Sequence, residues 1–98
     1  MIVNNLLLKL KKRDNEDIAK ARDVLLSMKG KIEVLRDVQV EVDIRHWSSS
    51  YDIMLITKFT TMTDFDAYLV HPVHVEVSRY ISKVLESGAA VCYESKNE

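Results

Sequence analysis

Two stretches of the chain carry apolar side chains on both faces of a predicted strand, and this pattern constrains the fold more than any other. Successive side chains of a strand point to opposite sides, so a strand that is apolar on both sides must be covered on both. The first stretch is residues 2–11. The second is residues 51–59, with Ile53, Leu55 and Phe59 on one face and Met54 and Ile56 on the other. The pattern predicts two central strands.

The segment between these strands predicts a helix and a half-buried strand. Asp14 is a predicted N-cap, and acidic residues follow it where the helix dipole favours them. Apolar residues then recur every three or four positions, which predicts a helix over 15–29 that ends before Gly30, typical of a left-handed C-terminal position. Valines alternate with polar residues between Val34 and Asp43, as expected for a strand with one buried face.

The second half of the chain predicts a helical region in two parts and a last strand. A short helix is capped by Thr61 or Thr63, and Pro72 ends it and begins the next. That longer helix is expected to end near Gly88, and residues 89–94 form the final strand. Residues 1–95 are a single predicted domain, with residues 96–98 as a frayed tail.

The predicted order β-α-β-β-α-β is typical of the α+β ferredoxin-like fold, with a four-stranded antiparallel sheet. Its first and third strands are central, and these are the two strands that are apolar on both faces. Helices cover only one face of such a sheet, and a monomer rarely exposes an apolar patch of more than a few hundred Å². We therefore expect a homodimer in which a second copy covers the other sheet face.

Charge and cysteine content exclude several classes of partner. Fourteen basic and fifteen acidic residues give a net charge of −1, so the chain lacks the basic footprint expected for nucleic acid or an anionic membrane. No apolar run approaches the roughly 18 residues that cross a bilayer.

Cys92 is the only cysteine, which excludes an intrachain disulfide and favours a reducing, cytoplasmic location. It is predicted to be a small buried apolar residue rather than a nucleophile.

The residues most suggestive of chemistry lie at the predicted break between the two helices. The sequence Tyr68-Leu-Val-His71-Pro72-Val-His74 places a phenol before a proline-fixed bend and two imidazoles around it. A phenol and an imidazole held rigidly can donate and accept protons. The same residues can also serve only to cap backbone groups and anchor a helix. Two imidazoles without a third ligand at suitable spacing do not predict a metal site, and no cofactor is predicted.

This bend, the opening Met1–Lys11 and the aliphatic strand that ends in Phe59 together resemble the stress-responsive A/B barrel (Dabb) family. The resemblance implies a ferredoxin-like protomer in a homodimeric α+β barrel. It also implies a pocket between sheet and helices, since one family member is a cyclase that closes a polyketide by aldol condensation. In that comparison Tyr68 is the phenol donor and His74 the general base. Asn4 stands where the family usually has a histidine, so it can hydrogen-bond but cannot accept a proton.

The resemblance leaves three functions open. The first is binding of a small, largely apolar or carbonyl-containing molecule, with Tyr68 and His74 as candidate catalytic residues and Asn4 and His71 as candidate ligand-binding residues. The second is a non-catalytic, stress-protective or structural dimer. The third is a haem- or flavin-type monooxygenase, since such enzymes share the architecture.

Overall fold

The computed structural model describes residues 1–96 and has the predicted element order. The strands are β1 (Ile2–Leu10), β2 (Asp37–Val42), β3 (Ile53–Phe59) and β4 (Leu85–Glu94), and the helices are α1 (Asn15–Leu26), α2 (Met62–Leu69) and α3 (Pro72–Val84). Ser95 and Met1 exchange two backbone hydrogen bonds, which join the chain ends. Residues 97 and 98 of the predicted tail lie outside the described residues.

The four strands form one antiparallel sheet in the order β2-β3-β1-β4. The ferredoxin-like fold is confirmed, and so is the central position of the two strands that are apolar on both faces. Leu6 pairs with Leu55 on the helix side of the sheet, and Leu7 pairs with Met54 on the opposite side, so the central pair is apolar on both sides.

The three helices cover one face of this sheet, and the main core lies between them. Phe59, Leu8 and Leu10 on the central strands are almost completely buried, as is Met28 just after α1. The opposite face is open in the single chain. Leu7 and Met54 are only half-buried there, and Val91 and Tyr93 of β4 are exposed.

Several element bounds differ from the sequence prediction, among them two helix ends and the start of β2, which is Asp37 instead of Val34. Helix α1 ends at Leu26 instead of residue 29, although Gly30 has the expected left-handed φ of +79° in the turn that follows. Helix α3 ends at Val84, and Gly88 lies inside β4 opposite Leu8 instead of ending the helix. The cause is strand pairing, because β1 offers β4 backbone partners from Leu10 onward that a helix could not use.

A buried carboxylate fixes the long β2–β3 loop to the end of β1. Asp52 has no exposed surface, and its two oxygens accept hydrogen bonds from the Leu10 N–H at 2.8 Å and from Nε of Arg13 at 2.9 Å. The same guanidinium donates to the carbonyls of Trp47 at 3.0 Å and Ser50 at 2.9 Å. Arg13 therefore orders the loop and compensates the buried charge.

The N-cap of α2 is Thr61, whose hydroxyl accepts a hydrogen bond from the Asp64 N–H at 3.1 Å. Replacing Thr61 with alanine is expected to lower the free energy of unfolding by about 1 kcal/mol, measured by urea denaturation. Thr63 is the matched control, because it lies exposed within the same first turn and does not cap the helix. Equal losses in Thr61→Ala and Thr63→Ala would contradict the assignment of the cap.

Candidate functional site

Pro72 and His71 build the bend between α2 and α3. Pro72 occupies the first turn of α3, where its missing N–H leaves no hydrogen bond unmade. His71 is the N-cap, and its Nδ1 accepts a hydrogen bond from the Val73 N–H at 3.1 Å. Its Nε2 lies 3.5 Å from a carboxylate oxygen of the exposed Glu33. His71 thus holds the bend in place, and it is not among the residues that line the cavity described below.

Tyr68 is buried at the end of α2 with a hydroxyl that has only a weak acceptor. Its ring lies 4.9 Å from Phe59 and 4.3 Å from His74 between ring centroids. The hydroxyl donates to Sδ of Met28 at 3.7 Å, and a thioether sulfur is a poor acceptor. Burial raises the pKa of Tyr68 to about 12, so the phenol stays protonated and remains a donor.

His74 lies beside Tyr68 in the first turn of α3, with its tautomer set by the backbone. Nδ1 is 3.0 Å from the carbonyl oxygen of Leu69. A carbonyl can only accept, so the neutral ring carries its proton on Nδ1, and Nε2 is the nitrogen free to take another. Burial lowers the pKa of His74 and His71 lowers it further, against the opposing effect of the Leu69 carbonyl. The side chain is therefore a neutral base at ordinary pH.

A cavity of about 310 Å³ lies between the sheet and the helices and brings three of the four predicted site residues together. Asn4, Tyr68 and His74 all contribute to its wall. Most of the remaining wall is aliphatic, from Leu6, Leu8, Leu25, Leu55, Val77 and Ile81. This volume is at the lower end of small-molecule sites, which run from about 300 to 1,000 Å³. The arrangement suits a small, largely apolar molecule.

The other residues that line the cavity were not predicted as site residues from the sequence, and four of them are described here. Met28 accepts the hydrogen bond from the Tyr68 hydroxyl, and Gly88 belongs to β4. Ser78 and Ser82 lie on the cavity side of α3. The two serines could have been found from their spacing, because steps of four residues from His74 to Ser78 and on to Ser82 place all three on one helix face. No local pattern shows that Met28 or Gly88 lines a cavity, because both do so through contacts with residues that are distant in the sequence.

Cys92 is exposed, so the prediction of a buried thiol was wrong. It lies on the edge strand β4 opposite Asn4, and the helices do not cover this strand, which is exposed along almost all of its length.

Within residues 1–96, no cluster of three or more histidine, cysteine or acidic side chains could hold a metal ion. Within the same residues, no helix is long and apolar enough to cross a membrane.

Fold and site together define a ferredoxin-like α+β protein with a cavity between its sheet and its helices. Residues 2–96 match the model of the stress responsive A/B barrel domain, and the chain belongs to that family. The resemblance drawn from the bend and the strands is therefore confirmed.

Solved structures share the fold at low sequence identity. A dimeric protein of unknown function with a ferredoxin-like fold from Bacteroides fragilis is 23% identical, with a TM-score of 0.81 over 96% of this chain and 95% of that one. At3g17210 from Arabidopsis thaliana is 19% identical, with a TM-score of 0.82 over 100% and 98% of the two chains. A hydroxynitrile lyase from Passiflora edulis is 10% identical, with a TM-score of 0.83 over 99% and 94%. A comparison with curated proteins gave no match.

Proposed function

We propose that the chain binds a small, largely apolar carbonyl compound in the cavity and transfers a proton at the carbon next to its carbonyl group. The observation that carries this proposal is the convergence of Asn4, Tyr68 and His74 in a cavity that is otherwise mostly aliphatic. An apolar wall favours an apolar ligand, and a few polar groups fix its orientation.

Each polar residue has a distinct role in the proposed step. Nε2 of His74 accepts the proton as the carbon–hydrogen bond breaks, and the electron pair of that bond moves onto the carbonyl to form an enolate. The Tyr68 hydroxyl leaves its weak sulfur acceptor at 3.7 Å and donates to the enolate oxygen, a much better acceptor. Asn4 offers an amide for a second polar group of the ligand. Return of a proton from His74 completes the cycle.

Proton exchange into heavy water tests the proposal without knowledge of the natural substrate. Methyl hexyl ketone in D₂O is expected to lose its α-proton NMR signals faster with the protein than in buffer alone. His74→Asn is expected to lower the protein-dependent rate by about 10²- to 10⁴-fold, because the amide replaces the Nδ1 donor but supplies no base. Tyr68→Phe is expected to lower it by about 10²- to 10³-fold through loss of one donor to the oxyanion.

The matched control is His46→Asn. His46 lies in the exposed β2–β3 loop and has a left-handed φ of 59°, a conformation that asparagine adopts readily. This variant is expected to exchange protons at the wild-type rate. If His74→Asn and Tyr68→Phe both keep the wild-type exchange rate, or if the protein adds nothing to the buffer rate, the proposed chemistry is wrong.

The pH dependence of exchange follows from the two pKa shifts. His74 must be neutral to act as a base, so the rate rises with pH as the imidazole loses its proton. Because the pKa of His74 is lowered from 6.5, this rise is expected at a pH below that value. The rate then stays level, since Tyr68 keeps its proton up to its pKa of about 12. A rise centred above the ordinary imidazole value would contradict the assignment of His74.

The packing of Tyr68 favours a second candidate, a non-catalytic protective or structural dimer. The ring belongs to a buried aromatic cluster with Phe59, Phe65 and His74, as a purely structural tyrosine would. In that case His74→Asn lowers the melting temperature by several degrees, and the wild-type protein neither binds the ketone nor exchanges its protons.

We infer that two copies associate through the open sheet face. Leu7, Met54, Val91 and Tyr93 form an apolar surface there, and the structurally similar Bacteroides fragilis protein is described as dimeric. Light scattering at micromolar concentration is expected to give twice the chain mass of 11.3 kDa. A mass of one chain would overturn this inference.

A further inference from the structure

Gly88 is placed inside a strand without a conformational reason for glycine. The chain has two glycines, and only Gly30 has a left-handed φ. Gly88 therefore has a backbone that other residues can adopt. A glycine in the interior of a strand weakens it and often marks the close approach of another group. What distinguishes this position is the space around it.

That space belongs to the cavity wall. A Cβ atom at residue 88 would lie 3.9 Å from Cδ2 of Leu8 and 3.9 Å from Cδ2 of Leu85, and both leucines line the cavity. It would also lie 3.2 Å from the backbone oxygen of Leu7, a tight contact that requires a shift of a few tenths of an ångström. A side chain here would stand beside the two leucines and reduce the room at this end.

The cavity has a polar end, where its two acid–base side chains Tyr68 and His74 lie, and its other end is mostly apolar. His74 and Ser82 both line it from α3, and their separation of eight positions corresponds to a rise of about 12 Å along the helix. Tyr68 packs on His74 at the polar end. The other end is lined by Ser82, Leu85 and Gly88. Gly88 has no side chain, so β4 fills no space there.

We propose that the ligand is an unbranched carbonyl compound whose polar group lies at Tyr68 and His74 and whose alkyl tail extends to Gly88. Gly88 is then a specificity-determining residue, because its missing side chain sets the longest tail that stays inside the cavity. This inference rests on the proposed function, since it assigns the carbonyl group to the polar end.

The test is the dependence of affinity on chain length, measured by NMR titration with methyl alkyl ketones from methyl propyl to methyl nonyl ketone. In the wild-type protein each added methylene is expected to tighten binding roughly threefold to fourfold until the tail reaches Gly88. In Gly88→Val this gain is expected to stop earlier. The longest ketones then bind roughly tenfold more weakly than in the wild-type protein, and methyl propyl ketone binds equally well.

Ser82→Leu is a second variant that narrows the same end from α3 without the tight contact to the Leu7 oxygen, and it is expected to shift the length limit in the same direction. Ser87→Val is the matched control, since Ser87 precedes Gly88 in β4 and points to the opposite sheet face. If both Gly88→Val and Ser82→Leu keep the wild-type length dependence, Gly88 does not set the limit.

Affinity and proton exchange separate the two proposals. A length limit that moves in both variants supports the role of Gly88 even if the ketones exchange no protons, and in that case only the proposed chemistry is wrong. If the wild-type protein binds none of the ketones, both proposals are overturned.

Discussion

Replacing Arg13 with methionine is expected to lower the free energy of unfolding by roughly 3–5 kcal/mol. The variant leaves the carboxylate of Asp52 completely buried without its cation, although the Leu10 N–H still donates to it. It also removes the donors to the carbonyls of Trp47 and Ser50, so the β2–β3 loop is no longer fixed to β1. Urea denaturation at one fixed protein concentration measures the loss, because association shifts the apparent stability.

Two further variants show whether the buried charge is the cause. Arg13→Met with Asp52→Asn is expected to recover much of the loss, since a neutral amide needs no counter-charge and its oxygen can accept from the Leu10 N–H. Arg22→Met removes an exposed pair with Asp23 and is expected to change stability by less than about 1 kcal/mol. A loss in Arg13→Met no larger than in Arg22→Met would show that Asp52 does not depend on this guanidinium.

Leu7→Lys is expected to convert the protein from a dimer to a monomer at micromolar concentration. Leu7 lies on the central strand of the open sheet face, between Met54 and Ala89 of the neighbouring strands. A two-fold interface contains each substitution twice, so two ammonium groups would be buried between the sheets without partners. The mass measured by light scattering is expected to fall to that of one chain, 11.3 kDa.

Val70→Lys is the control for this substitution. Val70 is an apolar residue that is 75% exposed at the bend between α2 and α3, on the helix side of the sheet. A lysine there is expected to leave the dimer intact. If Leu7→Lys keeps the dimer mass, the open sheet face is not the surface through which copies associate.

Local patterns were sufficient to predict the element order, the two central strands and the bend at Pro72. Each depends on side-chain periodicity or on the backbone of one residue, and both are visible in a short stretch of sequence. The meeting of Asn4 with Tyr68 and His74 was also anticipated, although only through the family resemblance.

The features that were missed depend on contacts between distant parts of the chain. Gly88 is typical of a helix end, but its pairing with Leu8 across the sheet placed it in a strand. Cys92 lies in an apolar stretch that suggests burial, yet it belongs to an edge strand that the helices leave uncovered. Arg13 and Asp52 are 39 residues apart, and no periodicity connects them.

The alternation of side chains along β1 also bears on how such a protein can diversify. Leu7 and Leu8 are neighbours in the chain, yet one lies on the bare side of the sheet and the other in the wall under the helices. A change at Leu6 or Leu8 alters the wall of the cavity, and a change at Leu7 alters the open sheet face. The cavity wall and the open sheet face can therefore change independently of each other, through substitutions at adjacent residues.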